Sequence, residues 1–168
     1  MADRPRYLSV PYGEEELEFM LQPWFDLDIV ESGTATPIAD LAAETVRRLQ
    51  SPLGGKRLRD LAGDAVGTTS NARAVIAVTD LTRASPDAVL VPPLLDELNA
   101  GGIPDSQVTV IVGVGLHRAT TDAEKKEKLG SVVDRVRVVD SNGRDPAMWA
   151  DLGAIPPYDV PGFTQKLV

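Results

Sequence analysis

The sequence predicts an α/β fold: a mostly parallel, Rossmann-like sheet with helices on both faces, preceded by an amino-terminal β-hairpin. Three observations carry that expectation. Short apolar runs rich in β-branched residues recur at 74–78, 108–112 and 136–139, the pattern of strands covered on both faces. Helical patterns at 86–99 and 121–129 separate them, and strands alternating with helices imply right-handed crossovers and parallel pairing. The composition, 43% hydrophobic and 25% charged, is that of a chain that can bury a core. At 168 residues the expectation is a single α/β domain over 1–168, with 1–35 a β-hairpin region and 36–168 the βα units.

The elements follow in chain order. Tyr7 to Val10 reads as a short extended piece closed by the turn signal Pro11-Tyr-Gly13. Leu17, Phe19 and Leu21 alternate with polar or flexible neighbours, as do Phe25, Leu27 and Ile29, which predicts two half-buried strands joined around Gln22-Pro23. Thr36-Pro37 predicts an N-cap with proline in the first helical position, followed by Ile38, Leu41, Thr45 and Leu49 at helical spacing up to Ser51-Pro52. Leu58 and Leu61 suggest a short amphipathic turn. The cluster Lys56, Arg57 and Arg59 beside it reads as a solvated face, with a phosphate contact the other option. The small, polar stretch 63–70 reads as a loop. Pro92-Pro93 should kink or restart the helix that Gly101-Gly102 closes. Thr121-Asp-Ala-Glu124 is a capping-box pattern opening a charged helix that stops at Gly130.

Two loops hold the residues capable of chemistry. The strand at 108–112 runs out through Gly113 and Gly115 into a segment carrying His117, the one histidine of the chain. The strand at 74–78 runs into Asp80-Leu-Thr-Arg83, which sets a carboxylate, a hydroxyl and a guanidinium before the next helix. Open α/β sheets bind ligands outside the carboxyl ends of their strands, and both loops leave from that edge. The Arg83 fork suits a planar carboxylate or a phosphate, because it donates two parallel charge-assisted bonds. Asp80 can accept from sugar hydroxyls, and a histidine ordinarily exchanges protons near neutrality. An Asp80–Arg83 ion pair that merely ties down the loop is the alternative.

Other chemistries are excluded or weakened. The chain has no cysteine, so disulfides and thiolate chemistry are out, and one histidine cannot build a His-based zinc site. A net charge of −8 argues against nucleic acid or an anionic membrane as the main partner. No signal-peptide pattern or membrane-length apolar run is present, so a cytoplasmic location is expected. Gly113-Val-Gly115 has Arg118 where a dinucleotide fingerprint needs its third glycine.

Asp80-Leu-Thr-Arg83 with Ser85-Pro86, and Gly115-Leu-His-Arg118 ahead of a Thr-rich helix start, spaced by a βαβ unit, resemble the amino-terminal half of the lactate racemase family. The match runs from about Tyr12 to Gly153. The resemblance implies a racemase or epimerase of 2-hydroxy acids that passes a hydride to a nickel-pincer nucleotide while histidines relay the hydroxyl proton. It also implies roles: His117 as one of two relay histidines, Arg83 as the residue holding the substrate carboxylate, and Asp80, with Arg83 beside it, as the contact to the cofactor. The family's second relay histidine, its cofactor-bonded lysine and its nickel-ligating histidine have no counterpart among these residues, and Lys166 lies outside the expected glycine-rich context. The resemblance therefore implies a catalytically incomplete amino-terminal part, completed by a carboxyl-terminal part and acting on a small 2-hydroxy acid. A stand-alone carboxylate- or nucleotide-binding module without turnover is the other reading.

Overall fold

The computed structural model describes residues 6–157 and 159–166. The chain divides into two compact units, Met1–Pro37 and Ile38–Val168.

In the first unit, β1 (Arg6–Tyr12) pairs antiparallel with β2 (Glu15–Leu21), with Tyr12 opposite Glu15. The loop is therefore Gly13-Glu14. Gly13 takes φ +66°, as the first central residue of a two-residue hairpin turn must when its neighbour keeps negative φ. This corrects the expected pairing of 17–21 with 25–29. Pro23 presets a second turn, closed by the Phe25 amide on the Gln22 carbonyl at 3.1 Å, and no strand lies between it and the end of the unit at Pro37. Neither strand has a buried residue, because no second layer within this unit covers them.

The second unit holds the sheet. The strands β3 (Ala74–Thr79), β4 (Val108–Gly113) and β5 (Arg137–Asp140) are parallel in the order β3-β4-β5, with Thr79 opposite Gly113 and Val112 opposite Asp140. Four helices flank it: α1 (Leu41–Gln50), α2 (Leu58–Thr68), α3 (Asp87–Ala100) and α4 (Asp122–Leu129). The mixed α/β architecture with a parallel sheet and an amino-terminal hairpin is the predicted one. Ala74, Ile76, Val78, Val108, Val110, Val112 and Val138 turn one face of the sheet into a core with Ala62 of α2, Val91, Leu95 and Leu98 of α3, and Leu129 of α4. The other face is more open. Of Val75, Ala77, Thr109, Ile111, Arg137 and Val139, only Ile111 is buried.

Several boundaries differ from expectation, each for a local reason. Helix α1 begins at Leu41 because Asp40, in an extended conformation, accepts from the Ala43 amide at 2.9 Å and caps it, displacing Thr36 as the start. Helix α2 continues through Gly63 and Gly67 to Thr68, so the loop expected at 63–70 is mostly helix. Leu58, Ala62 and Ala65 form one face packed on the core, and that packing outweighs about 1 kcal/mol of propensity lost at each glycine. A Cβ on Gly101 would lie 2.4 Å from that of Ala62 and 2.5 Å from the Arg59 carbonyl, so the end of α3 abuts α2 where a side chain has no room. Helix α3 runs through Pro92 and Pro93 without restarting; Val91, Pro93 and Leu95 are buried and hold it together across the two missing amides. The chain then adds an antiparallel hairpin, β6 (Trp149–Ile155) with β7 (Val160–Gln165), where βα units were expected. Glycine and proline at Gly153, Pro156, Pro157, Pro161 and Gly162 hide its alternation.

Lys56, Arg57 and Arg59 each carry a partner: Asp64 at 2.6 Å, Asp60 at 3.0 Å and Glu97 at 2.7 Å. The cluster is a neutralised face. No helix among the described residues is long and apolar enough to cross a membrane.

Candidate functional site

The parallel register delivers the two loops to one edge. Because Thr79 stands opposite Gly113, Asp80 and Val114 leave neighbouring strand ends together. Both loops then turn tightly. The Arg83 amide donates to the Asp80 carbonyl at 3.2 Å, and the His117 amide donates to the Val114 carbonyl at 2.9 Å around Gly115 at φ +58°.

These turns bring the Asp80 carboxylate against His117 Nδ1. Asp80 is buried, whereas the His117 side chain is 60% exposed, so the ring stands on a fixed carboxylate with its other edge free. The Thr82 hydroxyl donates to the other Asp80 oxygen at 2.7 Å. That bond first, and His117 second, hold the Asp80 carboxyl below its ordinary value. The partnership fixes the ring's tautomer by the usual logic of a carboxylate accepting from Nδ1–H, which leaves the Nε2 lone pair facing out.

Arg83 lies in the same turn, with an exposed side chain that makes no hydrogen bond or ion pair among the described residues. The expected alternative of an Asp80–Arg83 ion pair is absent; Asp80 spends its charge on His117. Asp80, Arg83 and His117 line one cleft of about 400 Å³, with Thr79, Thr82 and Leu116 completing its wall. An orientable imidazole and an unclaimed guanidinium at one opening can bind a carboxylate and exchange a proton with a group next to it.

The His117 loop is held from its far side by residues that sequence reasoning left without a role. The Gly115 amide donates to Ser141 Oγ at 3.4 Å and Arg144 donates to the Leu116 carbonyl at 2.7 Å. A Cβ on Gly143 would lie 2.7 Å from the Gly115 carbonyl oxygen, so the two backbones touch. Below, Asp140 accepts from the Thr120 amide at 2.8 Å and its hydroxyl at 2.5 Å, tying the start of α4 to the end of β5. The only signal in the sequence was Asp140-Ser-Asn-Gly143 following a strand, which marks a loop but names no partner. Arg118, beside His117, is spoken for by a two-pronged pair with Glu124, at 2.9 and 2.6 Å.

No three His, Cys, Asp or Glu side chains among the described residues converge as a metal site. Lys166 binds the Ala147 carbonyl at 3.0 Å beside the β6–β7 hairpin.

Comparison with known proteins points one way. A family model described as the lactate racemase N-terminal domain matches residues 12–158. The lactate racemase of Thermoanaerobacterium thermosaccharolyticum is 30% identical over 152 residues, which is 89% of this chain and 34% of that protein. The lactate racemase of Lactiplantibacillus plantarum is 30% identical over 115 residues, 67% of this chain and 26% of that protein. The structure of the Thermoanaerobacterium thermosaccharolyticum lactate racemase apoprotein superposes with a TM-score of 0.67 at 28% identity, covering 96% of this chain and 36% of that one. The chain thus spans about a third of the length of the first of these relatives.

Proposed function

Because the chain belongs to the lactate racemase family and matches its N-terminal domain, we propose that it is the substrate-gripping and proton-handling part of a cytoplasmic isomerase that racemises or epimerises a small 2-hydroxy acid. A carboxyl-terminal part of the family's type would complete the machinery. The observation that carries this reading is the unclaimed Arg83 guanidinium lining one cleft with a carboxylate-backed histidine.

In this reading the substrate carboxylate lies in the plane of the Arg83 guanidinium and takes two parallel hydrogen bonds. That contact orients the 2-hydroxyl toward His117, whose Nε2 accepts its proton as the carbonyl character develops at C2 and returns it afterwards. Asp80 holds the ring in register and stabilises the imidazolium formed in between. Racemisation needs the hydrogen on C2 to leave and return to either face, and the family's nickel-pincer nucleotide supplies the acceptor for it when bound. The described residues do not fit the nickel ion, since one histidine and no converging carboxylate trio are present. Asp80 retains lone pairs beyond its bonds to Thr82 and His117 and would accept from ribose hydroxyls of such a nucleotide. Apart from that contact to the nucleotide, the role of this chain lies with the substrate and its hydroxyl proton.

Calorimetric titration of the 168-residue chain with D- and L-lactate tests the reading. Both enantiomers should bind, propane-1,2-diol should not, and Arg83→Lys should weaken lactate by about tenfold because an ammonium cannot make the paired contact. Equal lactate affinity in Arg83→Ala, or none in the unaltered chain, removes Arg83 as the anchor.

A further inference from the structure

Beneath the Asp80–Arg83 turn lies an ion pair that the mechanism above does not use. Asp87, the first residue of α3, and Lys128, in the last turn of α4, meet at 2.8 Å with side chains 8% and 4% exposed. Each charge sits at a helix end of opposite partial charge, which eases its burial. No hydrogen bond from elsewhere among the described residues reaches Asp87 Oδ2, so that oxygen depends on Lys128. Stability does not explain such a pair, because a buried ion pair is commonly no better than apolar groups of the same size.

What the pair does have is reach into the substrate loop. Ser85 Oγ donates to Asp87 Oδ1 at 2.7 Å, and the Asp87 amide donates to the Ser85 carbonyl at 2.9 Å. Lys128 Nζ lies 3.5 Å from the Arg83 carbonyl, while the Arg83 amide is held by the Asp80 carbonyl on the other side. The peptide groups on both flanks of the Arg83 Cα are therefore fixed, one through the Asp80 turn and one through α4.

We propose that Lys128, with Asp87 and Ser85, is a positioning residue that sets the backbone of Arg83 so that its guanidinium meets a substrate carboxylate; this rests on the reading of Arg83 as the carboxylate anchor. The guanidinium is exposed and has no side-chain partner among the described residues, so its aim depends on the peptide that carries it. Lys128 never touches the substrate.

The test separates stability from aim. Lys128→Met alone strands a buried carboxylate and should lower the melting temperature by several degrees. The double variant Asp87→Asn/Lys128→Met removes both charges, keeps the acceptor for Ser85, and should melt close to the unaltered chain. It should nevertheless exchange its Arg83 amide hydrogen about tenfold faster and bind lactate about tenfold more weakly. A double variant with unaltered exchange and unaltered lactate affinity overturns the proposal and leaves the pair purely structural. Should the double variant fail to fold, Lys128→Met alone decides well below its melting temperature: an Arg83 amide that exchanges faster while the amides of β4 keep their protection supports positioning, and an Arg83 amide with unchanged exchange refutes it. If the unaltered chain binds no lactate, the anchor reading of Arg83 fails, and the exchange measurement alone still judges whether Lys128 orders the turn.

Discussion

At the scale of single residues, the site is an arrangement of claimed and unclaimed charges. Arg118 was as prominent in the sequence as Arg83, yet Glu124 occupies it, and only the folded chain distinguishes the two. His117 and Asp80 were legible as residues of one sheet edge because successive parallel strands end at the same edge; that their strands are adjacent, that the side chains touch and that Thr82 braces them depends on pairing and loop conformation that no periodicity encodes. His117→Ala should abolish racemisation in an enzyme completed by its carboxyl-terminal part while leaving the fold intact, since the ring is mostly exposed. Turnover at the normal rate would take His117 out of the mechanism. Asp80 titrates below its ordinary value, so the contact contributes fully above the usual carboxylate range and is lost as pH falls through the lowered value. Asp80→Asn should erase that acid limb from a stability profile measured by urea unfolding. Gly143→Ala has nowhere to put its methyl group except against the Gly115 carbonyl, and should weaken lactate binding by moving the His117 loop without contacting the ligand; calorimetry of that variant with unchanged affinity would show the loop indifferent to its support.

At the scale of elements, helix α4 shows how a local motif is read correctly. Thr121 Oγ1 accepts from the Glu124 amide at 3.3 Å and Glu124 accepts from the Thr121 amide at 2.8 Å, the reciprocal bonds that the Thr-x-x-Glu spacing predicts. Thr121→Ala should cost about 1 kcal/mol in a thermal or urea melt. The Glu124 carboxyl is held at about 2, by Arg118 first and the Thr121 amide next, against an ordinary 4.5. Its contribution is therefore complete above pH 4.5 and lost as pH falls toward 2, so amides in the first turn of α4 should exchange faster across that window. Strands β3, β4 and β5 were equally legible, being short apolar runs bounded by turn residues. Helix α2 and the β6–β7 hairpin were not, because the glycines of α2 and the glycines and prolines of the hairpin speak against an element that packing or long-range pairing then imposes.

At the scale of the molecule, the two units differ in what holds them. The second has a core in which Leu95, Leu129, Val110 and Val132 are fully buried. Leu95→Ala there should cost about 2–5 kcal/mol and lower the unfolding midpoint of the whole unit. The described strands of the first unit bury nothing within it, with Tyr7 76% and Tyr12 72% exposed. A lone two-stranded hairpin is marginal in water, so limited proteolysis should cut within 6–37 well before it cuts the sheet; cleavage in the reverse order would contradict this account. The division by stability was not legible in the sequence, where apolar alternation in 17–21 looked like that of any half-buried strand.

The Asp80–His117 contact has one more consequence, which is spectroscopic. With a single imidazole in 168 residues, the Cε1–H proton signal of that ring needs no assignment and no isotope label. A ligand that enters the cleft beside the ring should shift that one resonance, which makes this chain its own reporter for the lactate titrations above.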